Sequence, residues 1–164
     1  MLMGAATMGE TTIPESGEPE AEAITVDLGP LPNYIGFAIR RAQLYVLDDF
    51  IRSLEKLDLR PGMFSTLTVI ERNPGLNQSE VSASLGIQRT NFVIMVQELE
   101  RRQLIERRPS KNDKRSYALY LTRKGKNFLK KAQALQAEHE VRMTEKLGAD
   151  GRDQLLELMQ KLLA

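Results

Sequence analysis

Residues 77–125 read NQSEVSASLGIQRTNFVIMVQELERRQLIERRPSKNDKRSYALYLTRKG, and the punctuation of this stretch decides the fold. Asn77 can cap a helix, and Glu80, three residues on, can close a capping box by bonding back to the Asn77 amide. Val81 and Leu85, with the preceding Leu76, give that helix an inner face. Gly86 stops it, as a residue free to take positive φ does at a helix end. A second helix is expected over residues 88–103, with Phe92, Val96 and Leu99 facing inward at four- and three-residue steps. Two helices joined by a tight Gly turn form the arrangement that presents the second helix to a DNA major groove.

The next segment reads as a hairpin. Leu104 to Arg108 suits one strand, Pro109 to Asp113 supplies turn residues, and Ser116 to Leu121 returns with Tyr117, Leu119 and Leu121 on one face. That face should anchor a charged tip held outward. Thr122 then caps a long helix to about Leu147, and Asp150 is expected to cap a last one with Leu155, Leu158, Met159 and Leu162 on one side. Upstream, Ile35, Ile39, Ala42, Val46, Phe50, Leu54 and Leu57 recur at helical spacing. Phe37, Leu44, Leu47 and Ile51 widen the stripe, so this helix needs partners on more than one side. Arg60-Pro61-Gly62 breaks the chain, and MFSTLTVIER (63–72) reads as a short buried helix ending before Asn73-Pro74-Gly75.

The fold class is therefore mostly α with a small β-hairpin wing. Residues 1–32 form an acidic tail, expected to be disordered to about Leu31. Residues 33–163 form the domain, with a winged helix-turn-helix at 61–121 between helical regions 33–57 and 123–163.

The chain has 164 residues and a formal net charge of +1, which hides a strong asymmetry. Residues 1–32 hold six acids and no Lys or Arg, whereas Arg101 to Lys131 hold twelve basic residues against Glu106 and Asp113, a net of +10. Such a local field attracts polyanions whatever the overall balance. Arg101, Arg102, Lys130 and Lys131 fall on helices and read as solvated surface. With no cysteine, disulfides, thiolate metal sites and thiol redox chemistry are excluded. His139, the single histidine, lacks partners on its own helix and reads as a surface or interface residue without a metal. Asp48-Asp49 reads as a solvated face. No nucleophile–base pair or Gly-rich phosphate loop can be assembled, so neither an enzyme nor a cofactor is expected. No apolar run approaches the ~20 residues needed to cross a bilayer, and the start lacks a secretory signal, which gives no membrane partner and a cytoplasmic expectation.

The same stretch resembles the multiple antibiotic resistance regulator (MarR) family of bacterial transcription factors. Their common pattern here is a helix-turn-helix, LERRGLIER, a D-x-R wing and LT-x-KG; this chain has LERRQLIERR, Asp113-Lys114-Arg115 and Leu121-Thr122-Arg123-Lys124-Gly125. The flanking helices extend the likeness over about residues 33–163. It implies a homodimer built from helices in 33–57 and 123–163, gripping double-stranded DNA at a pseudo-palindromic operator. It also implies a small-molecule pocket between the dimer region and the DNA-binding lobe.

In such proteins the Arg at the position of Arg115 reaches the minor groove, and the Asp at Asp113 holds the wing's shape. The chemistry agrees, since a narrow minor groove attracts a guanidinium and Asp113 can brace a neighbouring Arg. Lys111 and Lys114 share the wing. The chain departs from the family in the middle of its recognition helix, where Phe92-Val93-Ile94-Met95 stands in place of polar residues. The candidates there are Gln88, Arg89, Thr90, Asn91 and Gln97, with Arg89 suited to guanine and Asn91 to adenine, and Val93 or Ile94 to thymine methyls. For the effector, Phe37, Arg40, Arg41 and Tyr45 with Met63, Phe64 and Leu67 combine apolar and cationic surface suited to an aromatic acid or a CoA thioester. The expected function is a ligand-responsive repressor; the rival is a winged-helix module that binds protein and not DNA.

Overall fold

The computed structural model describes residues 26–109 and 117–164. The acidic segment 1–25 and residues 110–116 lie outside the described residues. Asp27 accepts from the Gly29 amide at 2.8 Å, and a 3-10 turn is formed by Leu31–Asn33. Regular backbone thus begins slightly before the expected boundary.

Helix α1 (Ile35–Leu54) runs on through a second 3-10 turn, Glu55–Leu57, to Asp58 in the left-handed region. Its expected inner stripe divides along its length. Leu54 is buried and Phe50 and Leu57 half-buried, while Ile35, Leu44, Val46, Leu47 and Ile51 are exposed on the protomer. The cause is geometric: only the last turns reach the lobe, and the rest runs along α5 (Arg123–Leu147). Tyr45 meets Lys146 and Asp49 meets Arg142, so the two helices are antiparallel.

Helix α2 (Pro61–Arg72) starts with Pro at its first position and buries Met63, Thr66, Leu67 and Ile70. Helix α3 (Gln78–Ser84) has the expected box: the Glu80 amide donates to Asn77 Oδ1 at 3.0 Å, and the Asn77 amide donates to Glu80 Oε2 at 2.7 Å. Gly86, at φ +63°, closes it, with the Ile87 amide reaching Ser82 O and the Gly86 amide Ala83 O, the paired bonds of a left-handed helix stop. Helix α4 (Arg89–Arg101) buries Phe92, Val96 and Leu99. The same stop recurs at its end, where the Leu104 amide bonds Leu99 O and the Gln103 amide bonds Glu100 O. Here the left-handed residue is Gln103, at φ +59°, where the family pattern has Gly.

Strand β1 (Ile105–Pro109) pairs antiparallel with β2 (Tyr117–Leu121), Ile105 opposite Leu121 and Pro109 opposite Tyr117. The expected anchoring face is corrected. Tyr117 is 57% exposed, and Ala118 is buried together with Leu119 and Leu121. Strand β2 has a neighbour on its other side, because the Gly75 amide donates to Leu119 O and the Leu119 amide to Leu76 O, with Asn77 bridged to Ala118. With helices α2, α3 and α5 packed against it, β2 has both faces covered near its base and departs from simple alternation.

Thr122 joins the wing stem to α5. Its hydroxyl accepts from the Gly125 amide at 2.9 Å and donates to Gln103 O at 2.7 Å, while its amide donates to Leu104 O. Gly125 is buried so tightly that a Cβ there would stand 1.9 Å from the Leu104 carbonyl oxygen. The last helix, α6 (Ala149–Leu163), is entered through Gly148 at φ +74°, so Asp150 lies in the first turn and is not the cap. A residue free to take that φ turns the chain between α5 and α6. Leu155, Leu156, Leu158 and Leu162 on α6 are exposed.

Candidate nucleic-acid interface and effector region

Helix α4 sorts its apolar middle by helical phase. Phe92 faces the core, Val93 and Met95 are half-buried, and Ile94 is 66% exposed. Gln88, Arg89, Thr90, Asn91 and Gln97 are exposed as well, so six of the seven expected α4 positions lie at the surface and Val93 lies at its edge. The helix start has no side-chain cap, which leaves the first-turn amides open to phosphate oxygens. Ile94 stands as an exposed apolar side chain among polar neighbours.

The wing candidates Lys111, Lys114 and Arg115, and the bracing Asp113, lie outside the described residues. The stem beneath them is ordered by charge. Arg107 pairs with Glu100 of α4 at 2.9 Å, tying the strand to the recognition helix. Arg108 pairs with Glu106 and lies 4.6 Å over the Tyr120 ring. These two arginines of the basic stretch are engaged within the protomer, whereas Arg123, Lys124 and Lys126 at the start of α5 are exposed.

Arg101 and Arg102, read from sequence as solvated, take different partners. Arg101 forks onto Glu98 with two 2.7 Å bonds and holds that carboxyl below its usual range. Arg102 is half-buried and donates to two backbone carbonyls, Asp58 O at 2.7 Å and Leu57 O at 2.9 Å. Backbone acceptors leave no trace in a residue pattern, so no sequence signal marks this role.

The seven effector candidates do not form one surface on the protomer. Arg41 and Tyr45 line a cavity of about 650 Å³ between α1, α5 and α6, with Lys146, Arg152, Leu155 and Leu156 among its other walls. Met63 lines a second cavity of about 530 Å³ beside Asn91, Ile94 and Arg102. Phe64 packs edge-on against Phe50 with centroids 5.5 Å apart, and Leu67 is fully buried. Phe37 is half-buried and Arg40 exposed on the first turns of α1.

A polar cluster between α1 and α5 carries no local sequence signal. His139 is buried, its Nδ1 2.6 Å from Asp49 Oδ2 and its ring 5.3 Å from that of Phe50. Arg142 donates to Asp49 Oδ2 at 2.7 Å and to Ser53 Oγ at 2.6 Å. His139, expected as a surface or interface residue, is buried within the protomer between α1 and α5, and Asp49 is not on a solvated face. The partners are ninety residues apart, which no local pattern reveals. The bonds from Arg142 and His139 hold the Asp49 carboxyl at about 2, below its ordinary 3.8. Among the described residues no group of three potential metal ligands gathers, and no helix is long and apolar enough to cross a membrane.

A helix-turn-helix with an exposed second helix, leading into a two-stranded wing whose stem is tied to it, defines a winged-helix protein of the DNA-binding class. Residues 57–116 match the pattern that defines the MarR family. The putative transcriptional regulatory protein for the hcr operon of Thauera aromatica is 30% identical over 135 residues, covering 82% of this chain and 81% of that one. The structure of the transcriptional repressor CouR bound to a 23-mer DNA duplex superimposes with a TM-score of 0.82 at 42% identity, over 85% of this chain and 99% of that one. CouR bound to p-coumaroyl-CoA gives 0.78 at 41% identity, over 85% and 98%. The chain belongs to the MarR family and is a transcriptional regulator of that family.

Proposed function

We propose that this regulator is a homodimeric repressor that reads a pseudo-palindromic operator with α4 and the wing. The observation that carries the reading is the row Arg89, Thr90, Asn91, Ile94 and Gln97, exposed on one short helix with an uncapped start. Arg89 and Asn91 read purine edges and Ile94 a thymine methyl, while Gln88, Thr90 and Val93 lie beside them. Lys111, Lys114 and Arg115 hold the wing to the DNA, with Asp113 shaping it.

The dimer region comprises 33–57 and 123–163. Its support is the run of exposed large apolar residues on α1 and α6, the kind of surface that marks an interaction site. Two lobes then meet half-sites about one helical turn apart. The effector is an aromatic acid or a CoA thioester, a reading favoured by the likeness to a repressor that binds p-coumaroyl-CoA. It releases DNA because it binds better to a dimer whose recognition helices are mis-spaced, and only such differential affinity shifts the equilibrium. The protein works in the cytoplasm, where its operator is.

Selection of duplexes from a random pool by the full chain, and then a salt titration, tests the reading. A pair of inverted half-sites is expected, with affinity falling steeply as salt rises because phosphate contacts release counterions. Weak binding with little salt dependence would favour the protein-interaction module. Arg115→Ala is expected to lower operator affinity about tenfold. Addition of p-coumaroyl-CoA to the complex then tests release.

A further inference from the structure

Arg102 closes α4, yet its side chain leaves that helix altogether. Nη1 donates to Asp58 O and Nη2 to Leu57 O, the carbonyls at the end of the 3-10 turn that finishes α1. Carbonyls at a helix end carry partial negative charge and lack helical donors, so a guanidinium meets both needs. Asp58, at φ +46°, turns the chain at this point. The same guanidinium lies 5.1 Å over the Phe128 ring on the second turn of α5. One planar group therefore touches α1's extension, α5 and α4 together.

Helix α4 otherwise packs mainly against α3 and β1 and has no broad contact with α1 or α5. Beyond the shared apolar core and the backbone contacts of Gln103 and Leu104 with the start of α5, Arg102 is the side chain that joins the end of α4 to both helices assigned to the dimer region. From Arg102 to the base-reading positions near Thr90 is about 18 Å along the helix, so a tilt of about 5° at the tie displaces the reading end by about 1.6 Å. A reading constellation tolerates less than that.

We propose that Arg102 is a positioning residue for operator reading: it fixes α4 against α1 and α5 and so sets which half-site spacing the dimer accepts. The inference rests on the DNA-reading function proposed above. Lys would keep the charge but cannot bridge two carbonyls with a planar fork or stack in the same way.

The test measures binding of wild type, Arg102→Ala and Arg102→Lys to the selected operator, to duplexes with the half-site spacing changed by one base pair in either direction, and to a duplex lacking half-sites. Wild type should prefer the selected spacing. Both variants should lose about tenfold on the selected operator, as for a lost charged hydrogen-bond pair, with the preference among spacings largely erased. Their affinity for the duplex without half-sites and their salt dependence should match wild type. An equal loss on every spacing would mark Arg102 as merely structural and overturn the proposal. A salt slope reduced by about one would reassign it as a phosphate contact. Unchanged discrimination in both variants would also reject it. If wild type itself selects no paired half-sites, the DNA-reading function fails first, and the proposal with it.

Discussion

His139 Nδ1 and Asp49 Oδ2 stand 2.6 Å apart across the α1–α5 contact, with Arg142 completing the carboxylate's surroundings from the solvent side. Asp49→Asn keeps the shape and removes the charge that both partners address. With Arg142 partly exposed and the pair correspondingly screened, the expected loss is about 1 kcal/mol. The sign of its pH dependence comes from a carboxyl pKa lowered from 3.8 to about 2 in the folded protein. The stability that Asp49 supplies is complete above 3.8 and disappears as pH falls through about 2. Urea midpoints should therefore separate wild type from the variant most at neutral pH, with the gap closing in acid. A gap independent of pH would contradict the assignment.

Gln103 occupies the left-handed position of the stop after α4, at φ +59°. A side chain there is strained and Gly is not, so Gln103→Gly should stabilise by about 0.5–1 kcal/mol. The Gln103 groups that bond Glu100 and Thr122 are main-chain and survive the substitution, and no side-chain bond of Gln103 is found among the described residues. A higher urea midpoint with an unchanged denaturant slope is the expected result; a lower midpoint would show that the side chain has a role of its own.

Asn77→Ala removes the acceptor for the Glu80 amide and half of the capping box. The cost should be about 1 kcal/mol, and Asn77→Asp should restore most of it. Thermal unfolding of the three proteins decides the matter, and equal midpoints would show that the box adds nothing.

Ile94 is exposed, so Ile94→Ala should leave stability within about 0.5 kcal/mol of wild type. Its effect should fall on operator affinity, about a tenfold loss concentrated at sites with thymine at the contacted step. Anisotropy titrations at several salt concentrations should give parallel lines, because no phosphate contact is removed.

Local features of the fold were legible in the sequence because local chemistry produces them. Asn77 with Glu80, Gly86, Thr122 and the inward triplet Phe92, Val96 and Leu99 each act within a few residues of themselves. Features that join distant segments were not. Strand β2 read as a half-buried alternating strand because the elements that cover it, α2 and residues 75–77 among them, lie far upstream in the chain. Asp49 and His139 meet only once two helices pack, and Arg102 binds carbonyls, which every residue possesses. The α4 candidates were chosen by residue type, and helical phase leaves all but Val93 of them exposed. The effector group, chosen by residue type on two helices, is spread over two cavities, the core and the first turns of α1.

At Gly125 the wing stem and α5 touch backbone to backbone, and the atom in the way of any side chain is the Leu104 carbonyl oxygen. Most core defects can be rescued by trimming a neighbouring side chain, but a peptide carbonyl cannot be trimmed by any codon change. A genetic screen for suppressors of Gly125→Ala should therefore yield restoration of glycine at 125 and no compensating substitution at 104. Where such a joint occurs, the genetic code offers one solution, and drift in the surrounding sequence cannot relax it.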